Sequence, residues 1–251
     1  MNLRLAGKTA LVTGASGGLG SVIAKGLAAE GVKLCITGRR GEVLRQLAKE
    51  IVSVGGLQPQ IAIVDIVEEG APQKLAQEAL RSMERIDILV NCAGAAGPMP
   101  LDAPEEKWVE TMTLNFTRVR QLTLAMVPHM IKNKWGRIIN ITGSSEPTGL
   151  QSAVSPKAAL HGFAKGVSRE IAKHGITVNS LAPGRMNTEH TQNRYSEGYN
   201  KEFTAQEIPI GRLGDPEELM YLVVCLASPL ASYITGNVIY VDGGRHRFAF
   251  S

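Results

Sequence analysis

Thr13-Gly14-Ala15-Ser16-Gly17-Gly18-Leu19-Gly20 is the stretch on which the fold of this chain turns. The β-branched run Thr9-Val12 leads straight into it, and Val22, Leu27 and Ala28 follow at helical spacing. The reading is therefore strand, tight turn, helix. Glycines in such a turn let the backbone approach a diphosphate, and the open N–H groups at a helix start attract its charge. A glycine-rich turn that binds nothing is the plain alternative, so the rest of the chain has to decide.

Working outward, the same alternation recurs. Short runs at Lys33-Thr37, Gln60-Val64, Asp87-Val90, Arg137-Ile141, Thr177-Ser180 and Val238-Val241 read as six further strands, and longer amphipathic segments such as Val43, Leu47, Ile51 and Val54 separate them. Strands alternating with helices imply a parallel sheet, and right-handed crossovers place helices on both of its faces. No linker or repeat divides the chain, so residues 1–251 are expected to form one domain. Gly184 to Pro209, rich in Asn, Thr, Glu, Tyr and Gln, is the least regular region and reads as a substrate lid over the crevice.

Composition narrows the function classes. Of 251 residues 44% are hydrophobic and 20% charged, which suits a packed α/β core and excludes disorder, collagen and coiled coil. The net charge of +4 is spread thinly, without the basic blocks expected for nucleic acid or a membrane surface. Cys35, Cys92 and Cys225 are odd in number and far apart, fitting neither a disulfide framework nor a metal set, and the five histidines lack ligand spacing. No metal is expected. Only Met1 to Lys8 precede the first strand, and the run from Leu219 to Gly244 is broken by Ser228-Pro229, Ser232 and Gly236. The expectation is a soluble cytoplasmic protein without signal peptide or membrane span.

Several motifs taken together resemble the short-chain dehydrogenase/reductase family, from about Leu5 to Gly244. The TGxxxGxG turn is Thr13 to Gly20, the adenine-contacting aspartate matches Asp65 followed by Ile66, and the NNAG motif is Asn91-Cys92-Ala93-Gly94. The helix asparagine of the family matches Asn115, and its PGxxxT segment is Pro183-Gly184-Arg185-Met186-Asn187-Thr188. The resemblance implies a single-domain Rossmann-type doubly wound α/β fold. It implies a nicotinamide dinucleotide held by Gly14, Ser16, Gly17, Leu19, Gly20, Asp65, Ile66, Asn91, Ala93, Gly94, Lys157, Pro183, Gly184 and Thr188. It also implies a homotetramer, or alternatively a dimer. At the end of the second strand Gly38-Arg39-Arg40 offers no carboxylate for a ribose 2′-hydroxyl, whereas a guanidinium grips a 2′-phosphate. NADP(H) is thus favoured over NAD(H), with Arg39 as the reader and Arg40 as a residue that solvates a helix start.

The catalytic pattern departs from the family. Lys157 opens Lys157-Ala158-Ala159-Leu160 as expected, but Ala153 stands four residues earlier, where the family has the tyrosine that exchanges the proton. The preceding loop is also short. Ser144 is the match for the substrate-orienting serine, with Ser145 possible by one register step. Glu146, Glu189, His190, Tyr195 and Tyr199 are candidates to replace the phenol, as is Lys157 itself through a water. With Asn115, Ser144 and Lys157 as catalytic residues, the expected activity is NADP(H)-dependent interconversion of a small-molecule carbonyl and a secondary alcohol, of the 3-oxoacyl reductase or sugar and alcohol dehydrogenase kind. A lyase or isomerase on the same fold, and a non-catalytic NADP(H)-binding protein, are the alternatives.

Overall fold

The computed structural model describes residues 2–144 and 149–247, and of His190 the backbone. Seven strands form one sheet in the order β3-β2-β1-β4-β5-β6-β7, every neighbouring pair parallel. They are β1 Thr9–Val12, β2 Lys33–Gly38, β3 Gln60–Ile63, β4 Ile88–Asn91, β5 Gly136–Ile141, β6 Ile176–Pro183 and β7 Val238–Val241. The helices between them are α1 Gly18–Ala29, α2 Gly41–Ser53, α3 Ala71–Met83, α4 Glu105–Met112, α5 Arg118–Lys132, α6 Val154–Ile171 and α9 Pro216–Ala227. The fold is the single doubly wound α/β domain expected.

Burial on both sheet faces explains the mostly apolar runs of the central strands β1 and β4. Ala10, Val12, Ile36, Ile88, Val90, Ile139 and Leu181 pack against Ile23, Leu27, Leu44, Leu47, Leu219 and Val223 of α1, α2 and α9. Their alternating neighbours Leu11, Cys35, Leu89, Ile138 and Val178 pack against Leu75, Ala79, Leu122, Met126 and Ala164 of α3, α5 and α6. The period of two along each strand thus builds two cores from one sheet.

Two parts differ from the sequence reading. β6 runs to Pro183, three residues beyond Ser180, because its paired partner β7 extends alongside it to Val241. The Gly184 to Pro209 region, read as irregular, contains α7 Glu189–Arg194 and α8 Glu197–Glu207. Thr188 and Ser196 begin them by accepting the Thr191 and Tyr199 backbone N–H groups through their side-chain oxygens. Neither Val nor Leu lies in them, so apolar periodicity gave no signal.

Candidate active site

The carboxyl ends of β1 to β6 lead into the glycine turn, Arg39, Asp65, Asn91 to Gly94, Ser144 and Pro183 to Thr188, all at one end of the parallel sheet. At β1, Thr13 accepts the Cys92 and Ala93 N–H groups on its hydroxyl at 3.0 and 3.1 Å, so the glycine turn and the Asn91-Cys92-Ala93-Gly94 segment are tied together. Gly14 has φ +67°, and a Cβ there would sit 2.8 Å from the Ala93 Cα. A Cβ on Gly20 would strike the Gly14 carbonyl. Only glycine permits this crossing. Gly17 caps α1 without any side-chain bond and no acidic residue occupies the first turn, leaving the positive helix end open. Leu19 packs into the core beneath it.

Arg39 and Asp65 follow at the ends of β2 and β3. Arg39 is largely exposed, with Nη1 3.7 Å from Asp65 Oδ2, and both line a cavity of about 440 Å³ with Ile63, Val64 and Lys74. Asp65 Oδ1 accepts the Val67 N–H at 3.2 Å, and Ile66 packs on the second core. Arg40 does more than solvate a helix start: it is the residue before α2 and its guanidinium donates to the Ser16 carbonyl, bracing the glycine turn. Gly38-Arg39-Arg40 itself contributes no carboxylate, while Asp65, Glu68 and Glu69 line the cavity beside Arg39.

At the other end, Asn115 lies in a π-helical turn, Thr113–Thr117, inserted between α4 and α5. This extra residue in the ladder turns Asn115 inward. Its Nδ2 donates to the Ala95 and Thr111 carbonyls at 3.1 Å and its Oδ1 accepts the Ala95 N–H at 3.2 Å. Lys157 on α6 donates from Nζ to the Ile141 carbonyl at 2.8 Å. A Cβ placed on Gly94 would lie 2.8 Å from Asn115 Oδ1 and 3.1 Å from Lys157 Nζ, so the glycine brings the two side chains together. Burial pushes the Lys157 ammonium down to about 8, with Cys92 acting the other way, and pushes the Cys92 thiol up to about 11. His161, one turn beyond Lys157, stands 2.8 Å from the Thr142 hydroxyl through Nε2, and burial together with Lys157 lowers its pKa.

Ser144 is half-buried just beyond β5, while Ser145 and Glu146 lie outside the described residues. Ala153 is buried at the start of α6, where its carbonyl accepts the Lys157 N–H. Asn91 donates from Nδ2 to Thr123 and Asn140 at 3.1 and 2.8 Å, which locks the end of β4 to β5 and α5. Pro183 and Gly184 run against β7, and a Cβ on Gly184 would lie 2.8 Å from the Asp242 Cα. Thr188 is drawn against Gly18, where an added Cβ would lie 3.1 Å from the Thr188 side chain. The segment after β6 is thereby brought to the glycine turn. Of the other donor candidates, Glu189 is exposed in the first turn of α7. Tyr195 and Tyr199 stack on each other at 5.1 Å, under the Arg185 guanidinium. The His190 side chain is outside the description.

Contacts that the sequence reading missed are those between distant segments. Arg118 donates to the Val67 carbonyl, Arg194 of α7 to the Ala96 carbonyl, and His161 meets Thr142. None falls in a motif, so only the folded chain reveals them. Among the described residues there is no cluster of His, Cys, Asp and Glu that could hold a metal, and no helix long and apolar enough to cross a membrane.

Glycine turn, open helix end, exposed Arg39 and the buried Asn115 and Lys157 pair suit a nicotinamide dinucleotide, and fold and site define an NAD(P)-dependent α/β oxidoreductase. The family model described as enoyl-(acyl carrier protein) reductase matches residues 14–246. The 3-oxoacyl-[acyl-carrier-protein] reductase of Aquifex aeolicus is 38% identical, over 97% of this chain and 99% of its own length. The complex of a 7α-hydroxysteroid dehydrogenase with NADH and 7-oxo glycochenodeoxycholic acid superposes with a TM-score of 0.92 at 31% identity, covering 99% of this chain and 98% of that one. The Pseudomonas aeruginosa RhlG/NADP active-site complex gives 0.90 at 33% identity, covering 98% and 99%. The chain belongs to the short-chain dehydrogenase/reductase family.

Proposed function

We propose that the protein is an NADP(H)-dependent reductase and dehydrogenase that interconverts a small-molecule carbonyl and a secondary alcohol, with 3-oxoacyl thioesters as the first substrate class. The observation that carries this is the Gly94 junction, where Asn115 Oδ1 and the buried Lys157 Nζ meet at the edge that also holds the glycine turn. The coenzyme supplies or accepts the hydride. Gly14, Ser16, Gly17, Leu19 and Gly20 hold its diphosphate, Asp65 and Ile66 its adenine, and Arg39 its 2′-phosphate. Asn91, Ala93 and Gly94 form the wall behind the ribose, Lys157 binds the ribose hydroxyls, and Pro183, Gly184 and Thr188 hold the nicotinamide amide. Ser144 orients the substrate oxygen, and the Gly184 to Pro209 segment with α7 and α8 covers it as a lid. With Ala153 where the family has its phenol, the proton comes from a different group, and Lys157 acting through a water is the arrangement the buried amine supports. The chain acts as a homotetramer.

Fluorescence titration of NADPH and NADH, with wild-type protein and Arg39→Ala, tests the reading before any substrate is known. The expected result is NADPH bound at least about tenfold more tightly than NADH, with the difference lost in Arg39→Ala. Wild-type protein that binds neither nucleotide would overturn the reading in favour of another enzyme class on this fold.

A further inference from the structure

One well-placed cation has no part in the site as drawn so far. Arg118 is the first residue of α5, directly after the π-helical turn that carries Asn115. Its guanidinium reaches the loop after β3, where Nε and Nη2 donate to the Val67 carbonyl at 3.1 and 2.7 Å, while Nη1 donates to Gln121 Oε1 at 2.9 Å. Among the described residues Arg118 makes no ion pair. Two arms of the fork converge on one main-chain oxygen, which fixes the position of a loop rather than neutralising a charge. An inserted residue in a helix rotates everything beyond it by about 100°. The same π insertion that turns Asn115 inward therefore also sets the direction of Arg118.

The loop so held is the one that carries Asp65. Val67 N–H bonds Asp65 Oδ1, so Asp65 and Val67 move as a unit, and that unit has two outside anchors. Arg118 holds it from α5, and Arg39 holds it from the end of β2 through the 3.7 Å pair with Asp65. The anchors respond differently to the two coenzymes. A 2′-phosphate competes with the Asp65 carboxylate for Arg39, whereas a coenzyme lacking that phosphate leaves the pair in place. We propose that Arg118 is a positioning residue for coenzyme preference, holding the Asp65–Val67 loop in register for the adenine while Arg39 is drawn onto the 2′-phosphate. The inference rests on the coenzyme reading given above.

The test compares NADPH, NADH and reduced nicotinamide mononucleotide, which has no adenine, on the full chain as wild type, Arg118→Met and Arg118→Lys. Arg118→Met should weaken NADPH about tenfold or more and NADH about threefold or less. The mononucleotide should be unchanged, and Arg118→Lys should recover part of the NADPH affinity. Equal losses for all three nucleotides would mean general damage and overturn the proposal. So would equal losses for NADPH and NADH, or no loss for either. A wild type that binds neither dinucleotide overturns the coenzyme reading along with this inference, and that result is distinct from a wild type that binds NADPH beside an Arg118 variant that still does.

Discussion

Lys157 carries a charge in a place that resists it. The residue is 7% exposed, its ammonium donates to the Ile141 carbonyl, and burial brings its pKa from 10.5 to about 8. A lysine depressed in the fold prefers to be neutral there, so it destabilises the apo protein wherever it is protonated in both states. That holds below about pH 8, and the cost fades as pH rises from there towards 10.5, because the unfolded chain binds the proton more tightly across that window. Lys157→Met should accordingly stabilise the apo protein by about 2 kcal/mol near pH 7, after allowance for the lost hydrogen bond. The gain should vanish by about pH 10.5 in denaturant titrations. NADPH affinity should move the opposite way, falling in the variant at pH 7 and falling in the wild type above about pH 8. A destabilised variant at pH 7 would mean that the ammonium is satisfied where it lies. The tension is what a site that trades stability for a poised cation should show.

At the level of elements, the described part of the connection from β5 to α6 is tied down by several contacts. Pro98 and Gln151 form an antiparallel bridge, Gly97 and Ser152 exchange bonds in both directions, and the Thr111 hydroxyl donates to the Ser152 carbonyl at 2.7 Å. These contacts fix Ala153 at the helix start, one turn before Lys157. Restoring a phenol with Ala153→Tyr should raise turnover of a 3-oxoacyl thioester by about tenfold or more, since a positioned general acid contributes about 10²–10⁴ in rate. No gain in a folded variant would show that the pairing of 150–152 with 97–99 has re-aimed position 153. The sequence places Ala153 four residues before Lys157, and the expectation of a missing phenol rests on that spacing. It could not show this strand-like pairing, since nothing in Gly97-Pro98-Met99 or Leu150-Gln151-Ser152 alternates in hydropathy over enough residues. The helices α7 and α8 escaped for a related reason: they are started by side-chain caps at Thr188 and Ser196 and lack an apolar stripe. The seven strands were legible as short β-branched and apolar runs, most of them buried, that alternate with longer amphipathic segments.

Over the whole molecule, parallel strands divide the labour between the two ends of the sheet. The carboxyl end gathers the glycine turn, Asn115, Lys157 and Thr188, while the amino end holds a buried arginine. Arg137 is 1% exposed at the start of β5, and among the described residues it makes no ion pair. It donates instead to the Gly136, Gly175 and Ser228 carbonyls at 2.8, 3.1 and 3.2 Å and lies 4.5 Å from the centre of the Trp135 ring. Burial pushes its pKa down to about 10, the same direction as Lys157, yet the guanidinium stays charged at neutral pH and joins β5, the turn before β6 and the segment after α9. The two buried cations should answer to substitution with opposite signs. Lys157 has one carbonyl partner in the apo protein, so removing it relieves a cost. Arg137 has three, and Arg137→Met removes the donor that all three share, which should cost about 1–3 kcal/mol. NADPH affinity measured well below the melting temperature should stay within about twofold of wild type, because the substitution sits at the end of the sheet remote from the coenzyme edge. An Arg137→Met protein as stable as the wild type would mean that desolvation of the guanidinium cancels its three bonds. One that is stable but no longer binds NADPH would mean that the two ends of the sheet are coupled through β5, which joins Arg137 to the Ile141 carbonyl that Lys157 holds.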